Sequence, residues 1–134
     1  MGKTGTRKFR RLVRAAIKMH ALYIAENSVM ARVMGWRAFQ REYGTLWLSL
    51  GRRTGKTCAI RDLATPADLV IVHSPSMSKM YPGLRVLNEG SAFAGMRWKR
   101  VFIDEPHLFI DIDKVLKRIA DTLPCQVICL GAPR

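Results

Sequence analysis

Hydrophobic residues recur through the first part of the chain at helical steps. Phe9, Leu12, Val13, Ala16, Ile17, His20 and Ile24 stand three or four residues apart, with no Gly or Pro between Thr6 and about Asn27. A period near 3.6 places them on one face of a helix, with Thr6 as its cap. Asn27 and Ser28 separate it from a second predicted helix over residues 29–43. After Gly44 the pattern changes to short apolar runs bounded by turn residues, which is how strands buried on both faces read. These runs are 45–50, 68–74 (between Pro66 and Pro75), 100–105 and 125–130. Helix-compatible residues follow at 58–64, and 111–123 carries Ile112, Val115, Leu116, Ile119 and Leu123 on one face. Residues 75–98 contain Pro75, Pro82, Gly83, Gly90 and Gly95 and read as a long surface segment, with one short element at 84–87 and a basic cluster at Arg97, Lys99 and Arg100. Strands alternating with helices predict an α/β fold, a parallel sheet sandwiched by helices over 45–134, preceded by a basic helical extension over 1–44.

Composition narrows the class. The 134 residues suit one domain, and 49% apolar with 25% charged is a globular balance that argues against disorder. Three cysteines make no disulfide framework, and no apolar run approaches a membrane span or a signal-peptide core. A soluble, cytoplasmic protein without a membrane partner is expected. Lys and Arg total 23 against 10 Asp and Glu, a net charge of +13, so a polyanion is the expected partner, nucleic acid ahead of membrane. The surplus is steepest in residues 1–44. Arg7, Lys8, Arg10, Arg11, Arg14 and Lys18 occupy the face of the first helix opposite its apolar residues. Such a face binds phosphate backbone, or is merely the solvated side of a helix docked on its own domain, or least favourably meets a membrane surface.

Two segments carry chemistry. The run 45–50 leads directly into Gly51-Arg52-Arg53-Thr54-Gly55-Lys56-Thr57, and a helix follows. Strand, glycine-rich loop and helix N-terminus together make a phosphate-binding loop. Backbone N–H groups of Gly51, Arg52, Arg53, Thr54 and Gly55 would wrap the phosphates, Lys56 would reach the terminal ones, and the Thr57 hydroxyl would bind Mg²⁺. The full pattern wants Gly at position 50, where this chain has Leu50, with Gly51 one residue late. A coincidental basic turn is the alternative. The run 100–105 ends in Asp104-Glu105, 47 residues after Thr57. There Asp104 would hold the metal through water and Glu105 would orient and deprotonate an attacking water; a solvated acidic turn is the plain alternative. Cys125 and Cys129 are four residues apart, about 13 Å on a strand, too far for one zinc ion, so they read as core residues, as does Cys58. His20 and His73 read as structural.

These residues together resemble a known group. Gly55-Lys56-Thr57, Ile103-Asp104-Glu105-Pro106-His107 and the closing Gly131-Ala132-Pro133-Arg134 are similar to motifs in the ATPase core of viral (phage) large terminases, the DNA-packaging motors. The likeness extends more distantly to superfamily 2 helicases; both belong to the additional-strand, catalytic-glutamate division of P-loop NTPases. It spans roughly residues 39–134. It implies a minimal P-loop NTPase core binding ATP and Mg²⁺, with Arg52 as a catalytic arginine and Gln40 as an adenine-reading amide. It also implies that the 125–130 strand lies between the phosphate-loop strand and the Asp104-Glu105 strand, with Gly131–Arg134 beside the γ-phosphate. His107 would link nucleotide state to DNA, or is a plain surface histidine. Ala132 stands where those motors usually have a hydroxyl residue, and the nuclease domain of a large terminase is missing. The expectation is therefore a reduced, terminase- or helicase-like ATPase acting on duplex DNA in a host cytoplasm. It would be slow alone and quickened by homo-oligomerisation or a larger motor partner. The alternative from another class is a nucleotide-dependent adaptor or regulator with little hydrolysis.

Overall fold

The short apolar runs pair into one sheet. The computed structural model describes residues 3–49, 56–93 and 95–131. Its strands are β1 (Thr45–Leu48), β2 (Leu69–Val72), β3 (Arg85–Asn88), β4 (Arg100–Asp104) and β5 (Gln126–Leu130), all parallel, in the order β1-β5-β4-β2-β3. The protein is thus α/β with a five-stranded parallel sheet, and β5 does lie between β1 and β4. The short element expected at 84–87 is the edge strand β3, in register with β2 through Val70 and Val86.

Both faces of the sheet are covered, which is why the inner strands are apolar without alternation. Val70, Val72, Phe102, Ile128 and Leu130 face one side, where they meet Ala59 and Ile60 of α4 (Lys56–Leu63) and Phe9, Val13 and Ile17 of α1 (Lys3–Glu26). Leu69, Ile71, Val101, Ile103, Val127 and Cys129 face the other. There they meet Ile112, Val115, Leu116 and Ile119 of α5 (Ile112–Thr122). The Asp111 side chain caps α5 by accepting from the Lys114 N–H at 3.2 Å.

The first helix forms, but it starts at Lys3, so Thr6 lies within it and does not cap it, and the helix is part of the core layer. Phe9, Val13 and Ile17 are buried, Arg10 pairs with Asp62 on α4, and Gln126 Nε2 donates to the Ile17 carbonyl at 3.0 Å. His20 donates from Nε2 to the Tyr43 carbonyl and accepts at Nδ1 from Gln126; burial lowers its pKa, in keeping with a neutral ring. Helix α1 thus supplies one flank of the core that covers the sheet. Leu12, expected on the packed face, is 51% exposed instead. At 100° per residue it sits outside the arc that Phe9, Val13 and Ile17 bury.

The second predicted helix is broken. Gly35 has φ 85°, a left-handed conformation that ends α2 (Met30–Met34) and starts α3 (Trp36–Phe39). A π turn over Gln40–Gly44 then delivers the chain to β1. Apolar spacing continues across Gly35, so periodicity alone reads through the break. No helix among the described residues is long and apolar enough to cross a membrane.

Candidate active site

Parallel strands end together, so the residues just past β1, β5 and β4 share one edge of the sheet. Leu48, Leu130 and Asp104 are in register there. The strands are tied just beyond their ends: the Gly131 N–H donates to the Leu48 carbonyl at 2.8 Å, and the Glu105 N–H to the Leu130 carbonyl at 3.1 Å. α4 begins at this edge with Lys56 and Thr57. Gly51, Arg52, Arg53, Thr54 and Gly55 lie outside the described residues, as do Ala132, Pro133 and Arg134.

Four predicted residues meet at this edge, in two linked contacts. Lys56 Nζ lies 3.1 Å from Glu105 Oε1, and the Thr57 hydroxyl donates to Asp104 Oδ2 at 3.4 Å. His107 Nε2 stands 3.2 Å from Glu105 Oε2, so each carboxylate oxygen of Glu105 has a basic neighbour. Glu105 also carries the one positive φ of a non-glycine residue among those described, φ 54° and ψ 59°. That conformation is strained, on the order of 1–3 kcal/mol, and the following Pro106 restricts the residue before it further. Three features sustain it: the bond to Leu130, the two side-chain contacts, and the absence of a side chain at Gly131. A Cβ at Gly131 would stand 2.9 Å from Pro106 Cδ and 3.4 Å from Glu105 Cα, and its own φ of 140° suits only glycine.

Asp104 is only 2% exposed. Burial pushes its carboxyl above the ordinary range, and the Glu105 charge adds to that; bonds from Tyr81 and Thr57 and the charge of Lys56 act the other way. Tyr81, 1% exposed, donates its hydroxyl to the same Oδ2 that Thr57 reaches. Burial and the Asp104 charge push the Tyr81 hydroxyl pKa far up, so it remains a donor. Asp104 Oδ1 is buried without a hydrogen-bond partner among the described residues. A buried carboxylate oxygen left unpaired is the kind of acceptor a hard cation satisfies. Mg²⁺ needs only one or two protein oxygens when phosphates and waters complete its shell. Asp104 and Thr57 therefore fit Mg²⁺. No group of three or more His, Cys, Asp and Glu able to hold a metal occurs among the described residues.

One predicted site residue lies elsewhere. Gln40 is 3% exposed, and its side-chain oxygen accepts from the Cys125 N–H at 3.3 Å. That is the start of β5, the opposite end of the sheet from Lys56, so Gln40 does not stand where it would read an adenine bound at Lys56. The resemblance alone implied that role, and a turn and a whole strand separate Gln40 from Lys56. The basic residues of α1 split as well: Arg7, Lys8, Arg11, Arg14 and Lys18 are exposed, whereas Arg10 is half-buried against Asp62.

Tyr81 is the residue that sequence reading missed. It follows a 3₁₀ turn at Pro75–Met80 in a Pro- and Gly-rich stretch where no periodicity marks a position as buried. The large aromatics of that stretch, Tyr81, Phe93 and Trp98, are the available signal, and all three are buried. The cysteines are free: burial raises the Cys125 thiol to about 12 and pushes Cys129 further up, as suits core residues. No known protein-family model matches the chain, and no curated protein is significantly similar to it.

Proposed function

We propose that this protein is a P-loop ATPase that binds Mg-ATP and works on DNA, related to the viral terminase and helicase motors. One observation carries the proposal: Lys56 and Thr57, at the start of the helix after β1, face Asp104 and Glu105, at the end of β4, across the inserted strand β5. In this reading Lys56 exchanges Glu105 for the terminal phosphates. Thr57 and Asp104 would hold Mg²⁺, which would supply charge neutralisation on the phosphate oxygens. Tyr81 fixes the Asp104 carboxylate by holding Oδ2. Glu105, released from Lys56 and kept in place by its backbone bond to Leu130, takes a proton from the attacking water. Arg52 is assigned to the transferring phosphate by resemblance alone. The exposed cations of α1 meet the phosphate backbone.

The test is phosphate release with and without nucleic acid, alongside ATP affinity. Glu105→Gln is expected to retain ATP binding and to lose about 10²–10⁴ in turnover, the usual cost of removing a general base. Lys56→Ala is expected to weaken both. Undiminished turnover in Glu105→Gln overturns the assignment.

A further inference from the structure

The basic residues of α1 are arranged in a line that leads somewhere. Arg7, Arg11, Arg14 and Lys18 are spaced by four, three and four residues, which sets them in one stripe about 16 Å long on an α-helix. The next position of the stripe, three residues on, is Ala21. Ala21 lines a cavity of about 200 Å³ between α1, α3 and the start of β5, together with Ile24, Trp36, Phe39, Gln40 and Cys125. The stripe of cations therefore runs into the mouth of an aromatic-walled cavity.

Two further features point to an occupant. Trp36 is 56% exposed although it lines the cavity and touches Phe39 edge-on, so part of its ring is uncovered. The Gln40 amide is 97% buried, and its Nε2 has no partner among the described residues. That group is fixed as a donor, because Oε1 is already engaged by the Cys125 N–H. Its Nε2 fills the space over Gly44, another wall residue, where a Cβ would come within 2.6 Å of it. The cavity thus offers an aromatic face and no charge, with the Gln40 N–H donor buried in its wall beside Gly44, at the end of a row of exposed cations.

We infer that this cavity receives an unstacked base of a single nucleic-acid strand whose phosphates follow the Arg7–Lys18 stripe. A base stacks on Trp36 whatever its identity, and every base edge carries an acceptor for Gln40 Nε2. Because the amide can only donate, it cannot make the donor-and-acceptor pair that selects adenine, so binding is tolerant of sequence. The inference rests on the nucleic-acid half of the proposed function and adds to it that the strand engaged is single, at least locally, and is held at the end of the sheet remote from Lys56.

The experiment compares the full chain binding labelled oligo(dT), an abasic strand of equal length and duplex DNA. Oligo(dT) is expected to bind more tightly than the abasic strand and to quench tryptophan fluorescence. Trp36→Ala is expected to weaken oligo(dT) roughly tenfold, the scale of one lost stack, with duplex affinity and nucleic-acid-free ATP turnover unchanged. Trp36→Phe should restore most of the affinity without the quench. Equal binding of the abasic strand assigns the cavity to another occupant, such as a partner's apolar side chain, and overturns the inference. So does a Trp36→Ala variant that matches wild type on oligo(dT), or one that weakens duplex and single strand alike. In those cases salt-sensitive binding to duplex still upholds the proposed function. Absence of binding to any nucleic acid overturns both the inference and the DNA half of that reading.

Discussion

Replacing Asp104 by Asn should stabilise the protein in the absence of nucleotide and metal, and abolish its response to them. The carboxylate is 2% exposed; one oxygen takes Tyr81 and, at 3.4 Å, Thr57, while the other has no partner among the described residues. A buried polar atom without a partner costs about 1–3 kcal/mol, and more when charged. Asn keeps an oxygen for the Tyr81 hydroxyl and removes the charge, but leaves an amide N–H₂ where Oδ1 was, so part of the penalty persists. A net gain of about 1 kcal/mol is expected, or roughly 4 °C in melting temperature for a domain of this length. The pH dependence has a definite sign. Burial raises the folded-state pKa of Asp104 above its ordinary 3.8. Wild type and variant should therefore melt together below that value; the advantage of Asn should open as pH rises above it and be complete above the raised folded value. Mg²⁺ with a non-hydrolysable ATP analogue should reverse the order. At a hundredfold excess over Kd the ligand adds about 2.7 kcal/mol to wild type and far less to the variant. Thermal melts with and without ligand decide the matter. An unliganded variant that melts below wild type at neutral pH, or one that gains as much from Mg-nucleotide, refutes the reasoning.

Tyr81→Phe removes one hydroxyl and keeps the buried ring, so Asp104 loses its best donor. A loss of about 2 kcal/mol in stability and a several-fold higher Mg²⁺ requirement for nucleotide binding are expected; no change in either measurement removes Tyr81 from the site. Arg7, Arg11 and Arg14 are exposed and separate from the Arg10–Asp62 pair. Their joint replacement by Gln should flatten the dependence of log DNA affinity on log salt by two or more units, at about 0.9 per phosphate, and leave the melting temperature nearly unchanged. A lowered melting temperature with an unchanged slope would make that face structural.

The sheet was legible because its strands are buried on both faces. Under that condition a run such as Leu69–Val72 carries no polar residue at all, and the Pro and Gly around it mark its limits. Helix α5 was legible for the complementary reason: its apolar residues keep strict helical spacing and its cap is an Asp. The errors fall where two periodic segments meet without a change of composition. Val29 to Tyr43 keeps helical spacing on either side of Gly35, and only the backbone at that glycine shows that the helix breaks there. Spacing places Leu12 on the packed face because it cannot say how wide the buried arc is. The width depends on the helix that packs against α1, and α4 is only eight residues long.

The candidate site divides along the same line. Lys56, Thr57, Asp104 and Glu105 were legible because each ends or begins an element, and a parallel sheet brings all such ends to one edge. Gln40 rests on the resemblance alone, and a residue before β1 belongs to the other edge of the sheet. Tyr81 escaped because its partner is 23 residues away and no local pattern anticipates the contact. Gly131 carried no weight beyond its place in a C-terminal motif, yet its position has a physical consequence. Inserting β5 between β1 and β4 forces the chain to leave the sheet against the turn at Glu105, where any side chain would collide with Pro106. The insertion that sets Lys56 opposite Glu105 thus also requires glycine at 131, and the left-handed backbone of Glu105 persists because nothing larger stands beside it.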